Sequence, residues 1–189
     1  MVRWQPDARG RLEQAAMALY LERGFDQVTV ADIADRAGLT ERTFFRYFAD
    51  KREVLFGGSV ALSDRLVAAA AEAPAGLSPL DVLAAAFDDA ARTFFGDGAE
   101  RPRGRQAVID AHPGLQEREL IKLATLSTVL AGALRDRGVA EPAASLAAEA
   151  AVAVFKNAFA RWLEGAEGAD LAPILSRAFA EMKAVAAGR

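Results

Sequence analysis

Residues 29–56, TVADIADRAGLTERTFFRYFADKREVLF, decide how this chain is read. Thr29 stands three residues before Asp32, a spacing at which hydroxyl and carboxylate satisfy amides at the start of a helix. Ile33, Ala34 and Ala37 then form an apolar stripe that stops at Gly38. The pattern predicts a helix of about two turns. After the tight Gly38-Leu39 link, Thr40 caps a second short helix, Glu41 to Phe48, and Asp50 caps a longer one through Leu55, Leu62 and Leu66. Two short capped helices joined at a glycine make a helix-turn-helix, whose second member fits a major groove about 12 Å wide.

A helical wheel at about 100° per residue puts Phe44 and Phe48 on one side, the side to be buried. Arg42, Phe45 and Arg46 project from the other side, with Thr43 flanking them. Arg42 and Arg46, at i and i+4, reach out together, and a guanidinium fork matches the O6 and N7 acceptors of guanine. Thr43 offers a hydroxyl or a methyl to a base edge, Tyr47 lies where a phenol reaches a phosphate, and Lys51 follows as a further phosphate partner. Thr29, at the amino end of its helix, can present its hydroxyl and neighbouring amides to a phosphate. Bulk charge does not do this work: residues 1–52 hold nine basic and eight acidic side chains, and the whole chain carries −3. Affinity for DNA must therefore come from where the arginines stand.

Working outward, Leu12, Ala15, Ala16, Leu19 and Tyr20 share one face of a first helix that Gly24 closes. The clearest break downstream is Ala73-Pro74-Ala75-Gly76, after which Ser78-Pro79-Leu80-Asp81 opens a helix running to Phe95. A polar link, Glu100 to Gly104, leads to a short helix stopped at His112-Pro113-Gly114. Leu120, Leu123, Ser127, Leu130 and Leu134 then give a seventh helix a narrow seam suited to a bundle interior. An eighth runs from near Pro142 to Gly165 with Val152, Phe155, Phe159 and Trp162 on one face, and a ninth carries Leu171, Leu175, Ala178, Met182 and Val185. The expectation is an all-α fold of about nine helices, with no alternating strand pattern.

Composition narrows the chemistry. The 189 residues suit one compact unit or two intimate ones, and 52% hydrophobic with 26% charged residues is a globular composition. No apolar run approaches the roughly 20 residues of a membrane helix, and the start lacks a signal-peptide core, so a cytoplasmic location is expected. Without cysteine and with a single histidine, thiolate catalysis and the common metal sites are absent, and no metal or cofactor is expected. Nor is there a nucleophile elbow or a phosphate-cradling glycine loop, and Asp88-Asp89 point to different sides of a helix, so an enzyme is disfavoured. A helical protein-interaction adaptor is the other alternative, but it leaves the Arg42, Thr43, Arg46 grouping without a reason.

The quoted stretch resembles the signature of the TetR family of helix-turn-helix transcriptional regulators: Thr-x-x-x-Ile-Ala, Ala-Gly, then Thr-Phe-Phe-x-Tyr-Phe and x-Lys-x-x-Val-Leu, following a Gly-Phe that ends the first helix. The resemblance covers residues 9–66 strongly and the remainder through length and helix count. It implies a homodimer on a palindromic double-stranded operator, most simply a repressor relieved by a small ligand. By the family pattern Thr40, Arg42, Thr43, Phe45, Tyr47 and Lys51 occupy positions that commonly contact DNA, and Arg46 one that often does. Phe45 departs from the usual tyrosine, which replaces a phosphate hydrogen bond with an apolar contact to a thymine methyl. Residues 1–66 are then the DNA-binding domain and 67–189 the ligand-binding and dimerisation domain. Met1 to Arg11, with Arg3, Trp4, Arg9 and Arg11, is a candidate basic arm. Phe87, Phe94, Phe95, His112, Phe155, Phe159 and Trp162 are candidate linings of a pocket for a hydrophobic or aromatic ligand. The Ala-rich eighth and ninth helices suit a four-helix interface between two copies.

Overall fold

In the computed structural model, residues 7–96, 98–165 and 169–188 are described. Among them lie nine α-helices and one 3₁₀ turn, and no strand. The helices are α1 (Ala8–Arg23), α2 (Val30–Arg36), α3 (Glu41–Tyr47), α4 (Ser59–Glu72), α5 (Pro79–Phe94), α6 (Glu100–Asp110), α7 (Pro113–Asp136), α8 (Ala143–Glu164) and α9 (Leu171–Ala186). The all-α expectation and the helix count both hold.

Packing divides the chain into a first unit of residues 1–58 with 103–119, and a second of 59–102 with 120–189. The expected boundary at residue 66 falls inside α4, whereas the packing changes at Gly58. In the first unit, Leu12, Ala16 and Leu19 of α1 pack with Ile33, Phe44, Phe48 and Leu55, and the core is completed by Val108, Ile109 and Leu115 from much later in the chain. In the second, Leu66, Leu83, Phe87, Leu130, Leu134, Phe155, Trp162, Leu175 and Phe179 form one core. There the Trp162 indole donates its N–H to the Ala169 carbonyl at 2.6 Å, so its polar atom is satisfied.

Three segments depart from the expected outline. Asp50 does cap, accepting the amides of Arg52 (2.8 Å) and Glu53 (3.1 Å), but it opens only the 3₁₀ turn Glu53–Phe56. Gly57 and Gly58 interrupt the helix, and α4 starts at Ser59. A Cβ at Gly57 would come within 2.6 Å of the tip of the Glu13 side chain, a flexible group that can shift to admit it. With the helix interrupted, Leu55 joins the first core and Leu66 the second. The supposed link Glu100 to Gly104 is the start of α6, because Pro102 falls in the first turn, where its missing N–H costs nothing. Finally, Leu120 is exposed and the inner seam of α7 begins at Leu123.

Two stretches, Glu53–Glu72 and Ala143–Glu164, are long and apolar enough to cross a bilayer by length and composition. Gly57 and Gly58 break the first, and the second buries Ala144, Ala148, Ala151, Phe155 and Trp162 in a protein core.

Candidate nucleic-acid interface

The site is built from the caps upward. Thr29 accepts the Asp32 amide at 3.1 Å, and the Asp32 carboxylate accepts both the Thr29 amide (2.8 Å) and its hydroxyl (2.5 Å), a complete capping box. The Thr29 hydroxyl hydrogen is therefore engaged within α2. That hydroxyl, with the amide, holds the exposed Asp32 carboxyl below the usual carboxylate range. At the other end of α2, Gly38 adopts φ 63°, and the Leu39 amide reaches the Ala34 carbonyl at 2.8 Å. The Arg11 guanidinium donates to the Ala37 carbonyl in the same turn.

Thr40 then caps α3, accepting the Thr43 amide at 3.2 Å with the two hydroxyl oxygens 3.0 Å apart. Phe44 is fully buried and Phe48 nearly so, their rings 5.5 Å apart, which anchors one side of the helix in the first core. The opposite side carries Arg42, Thr43, Phe45 and Arg46, which together line one shallow concavity. Phe45 is 55% exposed despite its apolar ring. Arg46 lies over the Tyr47 ring, 4.8 Å from its centroid, and donates to the Tyr47 oxygen at 2.9 Å. Thus Arg42, Thr43, Phe45, Arg46 and Tyr47 are brought together on a seven-residue helix.

Lys51 is placed otherwise than expected. Its ammonium donates to the carbonyls of Phe25 (2.9 Å), Val28 (2.8 Å) and, at 3.4 Å, Asp26, and sits 4.4 Å from the Phe25 ring centroid. An ammonium has only three N–H donors, so this cation ties the α1–α2 loop to the segment after α3 instead of standing ready for a phosphate. Tyr20 completes the tie, donating its hydroxyl to the Lys51 carbonyl at 2.6 Å. Burial pushes that phenol well above its ordinary range, and the charge of Asp50 adds to the shift. Other basic groups of the first unit are also taken up: Arg36 by Glu22 (2.8 Å), Arg52 by Asp50 (2.8 Å), and Arg9 by Glu13 (3.1 Å) and the Gly57 carbonyl (2.5 Å). Of the candidate arm, residues 1–6, including Arg3 and Trp4, lie outside the described residues, while Arg9 and Arg11 belong to α1 and its packing.

The candidate ligand-binding aromatics separate into two groups. Phe87, Phe95, Phe155, Phe159 and Trp162 meet in the second unit, with ring centroids 5.1 Å apart for Phe87 and Phe155 and 5.7 Å for Phe95 and Trp162. Phe179 joins them through Phe87. Phe94 does not: one residue before the helix-ending Phe95, it faces out and is 41% exposed. His112 is a member of the first unit. There its ring packs edge-on to Phe25 at 4.9 Å, and its Nε2 lies 3.1 Å from the Asp26 carboxylate.

Arg105 and Arg118 are structural residues that the sequence did not single out. Arg105 donates to the Leu55 carbonyl (2.7 Å), pairs with Glu119 (3.2 Å) and lies over the Phe56 ring, while Arg118 pairs with Glu53. Burial draws the Arg105 guanidinium below its ordinary range, against the opposing pull of Glu119.

Comparison with known proteins agrees with this geometry. Residues 13–56 match a family described as bacterial regulatory proteins of the tetR family, and residues 77–187 match the MftR C-terminal domain. A regulator named TcmR from Streptomyces glaucescens is 38% identical over 79 residues, spanning 42% of this chain and 35% of that protein, so the match extends over about a third of its length. Among solved structures, SmeT of Stenotrophomonas maltophilia bound to triclosan aligns over 94% of this chain and 90% of its own, with 21% identity and a TM-score of 0.65. A FadR repressor from Thermus thermophilus in complex with lauroyl-CoA aligns over 93% of both chains, with 23% identity and a TM-score of 0.54.

Proposed function

The chain belongs to the TetR family of bacterial regulatory proteins, and we propose that it acts as a homodimeric repressor whose hold on a palindromic operator is released by a small apolar ligand. The observation that carries this reading is the exposed group Arg42, Thr43, Phe45 and Arg46 on a short helix whose back is pinned by Phe44 and Phe48. Phe45 is 55% exposed beside Arg42 and Arg46, which puts an apolar ring and two guanidinium groups on the one face able to meet base edges. Arg42 is the principal base reader, and Thr43 stands beside it at the base edges. Arg46 and Tyr47, already joined, form a unit suited to a backbone phosphate. Thr29 and Thr40 contribute through the helix starts they cap, and Lys51 through the loop it ties.

The second unit supplies the ligand site and the dimer. Phe87, Phe95, Phe155, Phe159 and Trp162 supply apolar wall for a molecule with an aromatic or acyl body. SmeT holds triclosan, an aromatic molecule, and FadR holds lauroyl-CoA, whose lauroyl chain is apolar. On α8, Leu146, Ala153, Asn157 and Ala160 lie exposed at helical spacing, as do Pro173 and Ala180 on α9, a small-residue surface that lets two copies approach closely. The chain passes between the two units at 58/59, 102/103 and 119/120. A ligand that shifts α4 or the two later connections re-spaces the paired reading helices, which must stand about 34 Å apart on DNA. A coupling of about 1–3 kcal/mol weakens operator binding roughly 5 to 150-fold.

A gel shift against the DNA flanking the protein's own coding region, run over a range of salt, tests the reading. Arg42→Ala should cost about 1–3 kcal/mol and relax preference at one base pair per half-site. Arg46→Ala should weaken all sequences alike. Equal binding by wild type and the double variant would remove the assignment.

A further inference from the structure

Phe45 stands out because its neighbour Phe44 has the same side chain and the opposite environment. Phe44 is fully buried, whereas Phe45 is 55% exposed and lines the reading concavity together with Arg42, Thr43 and Arg46. Its ring is not loose: it packs edge-on against Phe44, with centroids 5.5 Å apart and planes at 84°. A ring braced by a buried neighbour loses little freedom on binding. It also carries no hydroxyl, so neither a phosphate nor a polar base edge gives it a hydrogen bond. Of the features displayed by the four base pairs in the major groove, the C5-methyl of thymine is the apolar one.

We propose that Phe45 is a specificity-determining residue that packs on the C5-methyl group of a thymine in each operator half-site, next to the base pair read by Arg42. This rests on the DNA-reading function above and adds the chemical identity of one base to it. The flanking guanidinium groups hold the helix in the groove by charge, and the ring converts that placement into a requirement for a methyl group. Burying one methyl is worth about fourfold in affinity, so two half-sites together give about fifteenfold.

The experiment uses the full-length protein and a duplex recovered by it from a random-sequence DNA library. Each thymine of the recovered duplex is replaced in turn by deoxyuridine, which keeps every hydrogen bond and lacks only the methyl. One position per half-site should show about a fourfold loss with wild type. The same position should show no loss with Phe45→Ala, whose affinity for the thymine duplex should already be lower by about fifteenfold, because both protomers lose the ring. Phe45→Tyr, which keeps the ring, should retain sensitivity to the methyl. Circular dichroism of Phe45→Ala should match wild type, since the side chain lies outside the core. If no deoxyuridine position weakens wild type, or if the loss persists undiminished in Phe45→Ala, the assignment of Phe45 falls while the DNA-reading function stands. A library that yields no preferred sequence overturns that function, and this inference with it.

Discussion

Two adjacent phenylalanines have opposite fates because a helix turns about 100° between them. Phe44→Ala should lower stability by about 3–5 kcal/mol in denaturant melts, by opening a cavity among Leu12, Ile33 and Phe48. Phe45→Ala should change stability by no more than about 0.5 kcal/mol. That contrast was legible in the sequence, because periodicity alone decides which ring faces in. The role of Lys51 was not. A lysine after a reading helix has a stem long enough to reach solvent or its own protein, and only the position of the Phe25, Asp26 and Val28 carbonyls decides between them. Lys51→Met should leave those carbonyls without their cation and cost about 2 kcal/mol in a thermal or urea melt. It should leave the salt slope of DNA binding unchanged, whereas Arg46→Ala should reduce that slope by about 1 for each head. A slope that falls with Lys51→Met would return the ammonium to the phosphate backbone.

At the scale of elements, the caps were the most readable feature, since Thr29-x-x-Asp32 and Ser78-Pro79-x-Asp81 state a helix start in four residues. The capping box also makes α2 sensitive to acid. Hydrogen bonds from Thr29 depress the Asp32 carboxyl in the folded chain, so its contribution is complete above the ordinary carboxylate value of about 4 and is lost as pH falls through the lower folded value. Urea melts between about pH 5 and 2.5 should show a steeper fall for wild type than for Asp32→Asn. Parallel curves would mean that the carboxylate adds nothing to α2. Where the sequence misled, glycine and proline were the cause. Gly57 and Gly58 split one expected helix, whereas Gly104 sits inside α6 with room for a Cβ, which would meet Leu21 at an ordinary 3.5 Å. Local pattern cannot distinguish a glycine that stops a helix from one that the helix runs through.

For the whole molecule, the least legible feature was which aromatic belongs to which unit. His112 was grouped with Phe155 and Trp162 by chemistry, yet it packs on Phe25, 87 positions earlier in the chain, through a tertiary contact that no local signal encodes. The dimer face is a claim at this scale as well. Ala153→Arg, on the exposed side of α8, should produce a monomer in sedimentation and weaken operator binding about a hundredfold or more, with thermal stability of the single chain little changed. A dimer that survives the arginine would move the interface elsewhere. The return of residues 103–119 to the first unit bears on how such proteins are recombined. Val108, Ile109 and Leu115 fill the space behind α1, so a reading head cut out as a single N-terminal fragment would carry an open hole where three apolar side chains belong. Grafting this head onto another regulator therefore requires three splices, at 58/59, 102/103 and 119/120, the second more than forty residues downstream of the first.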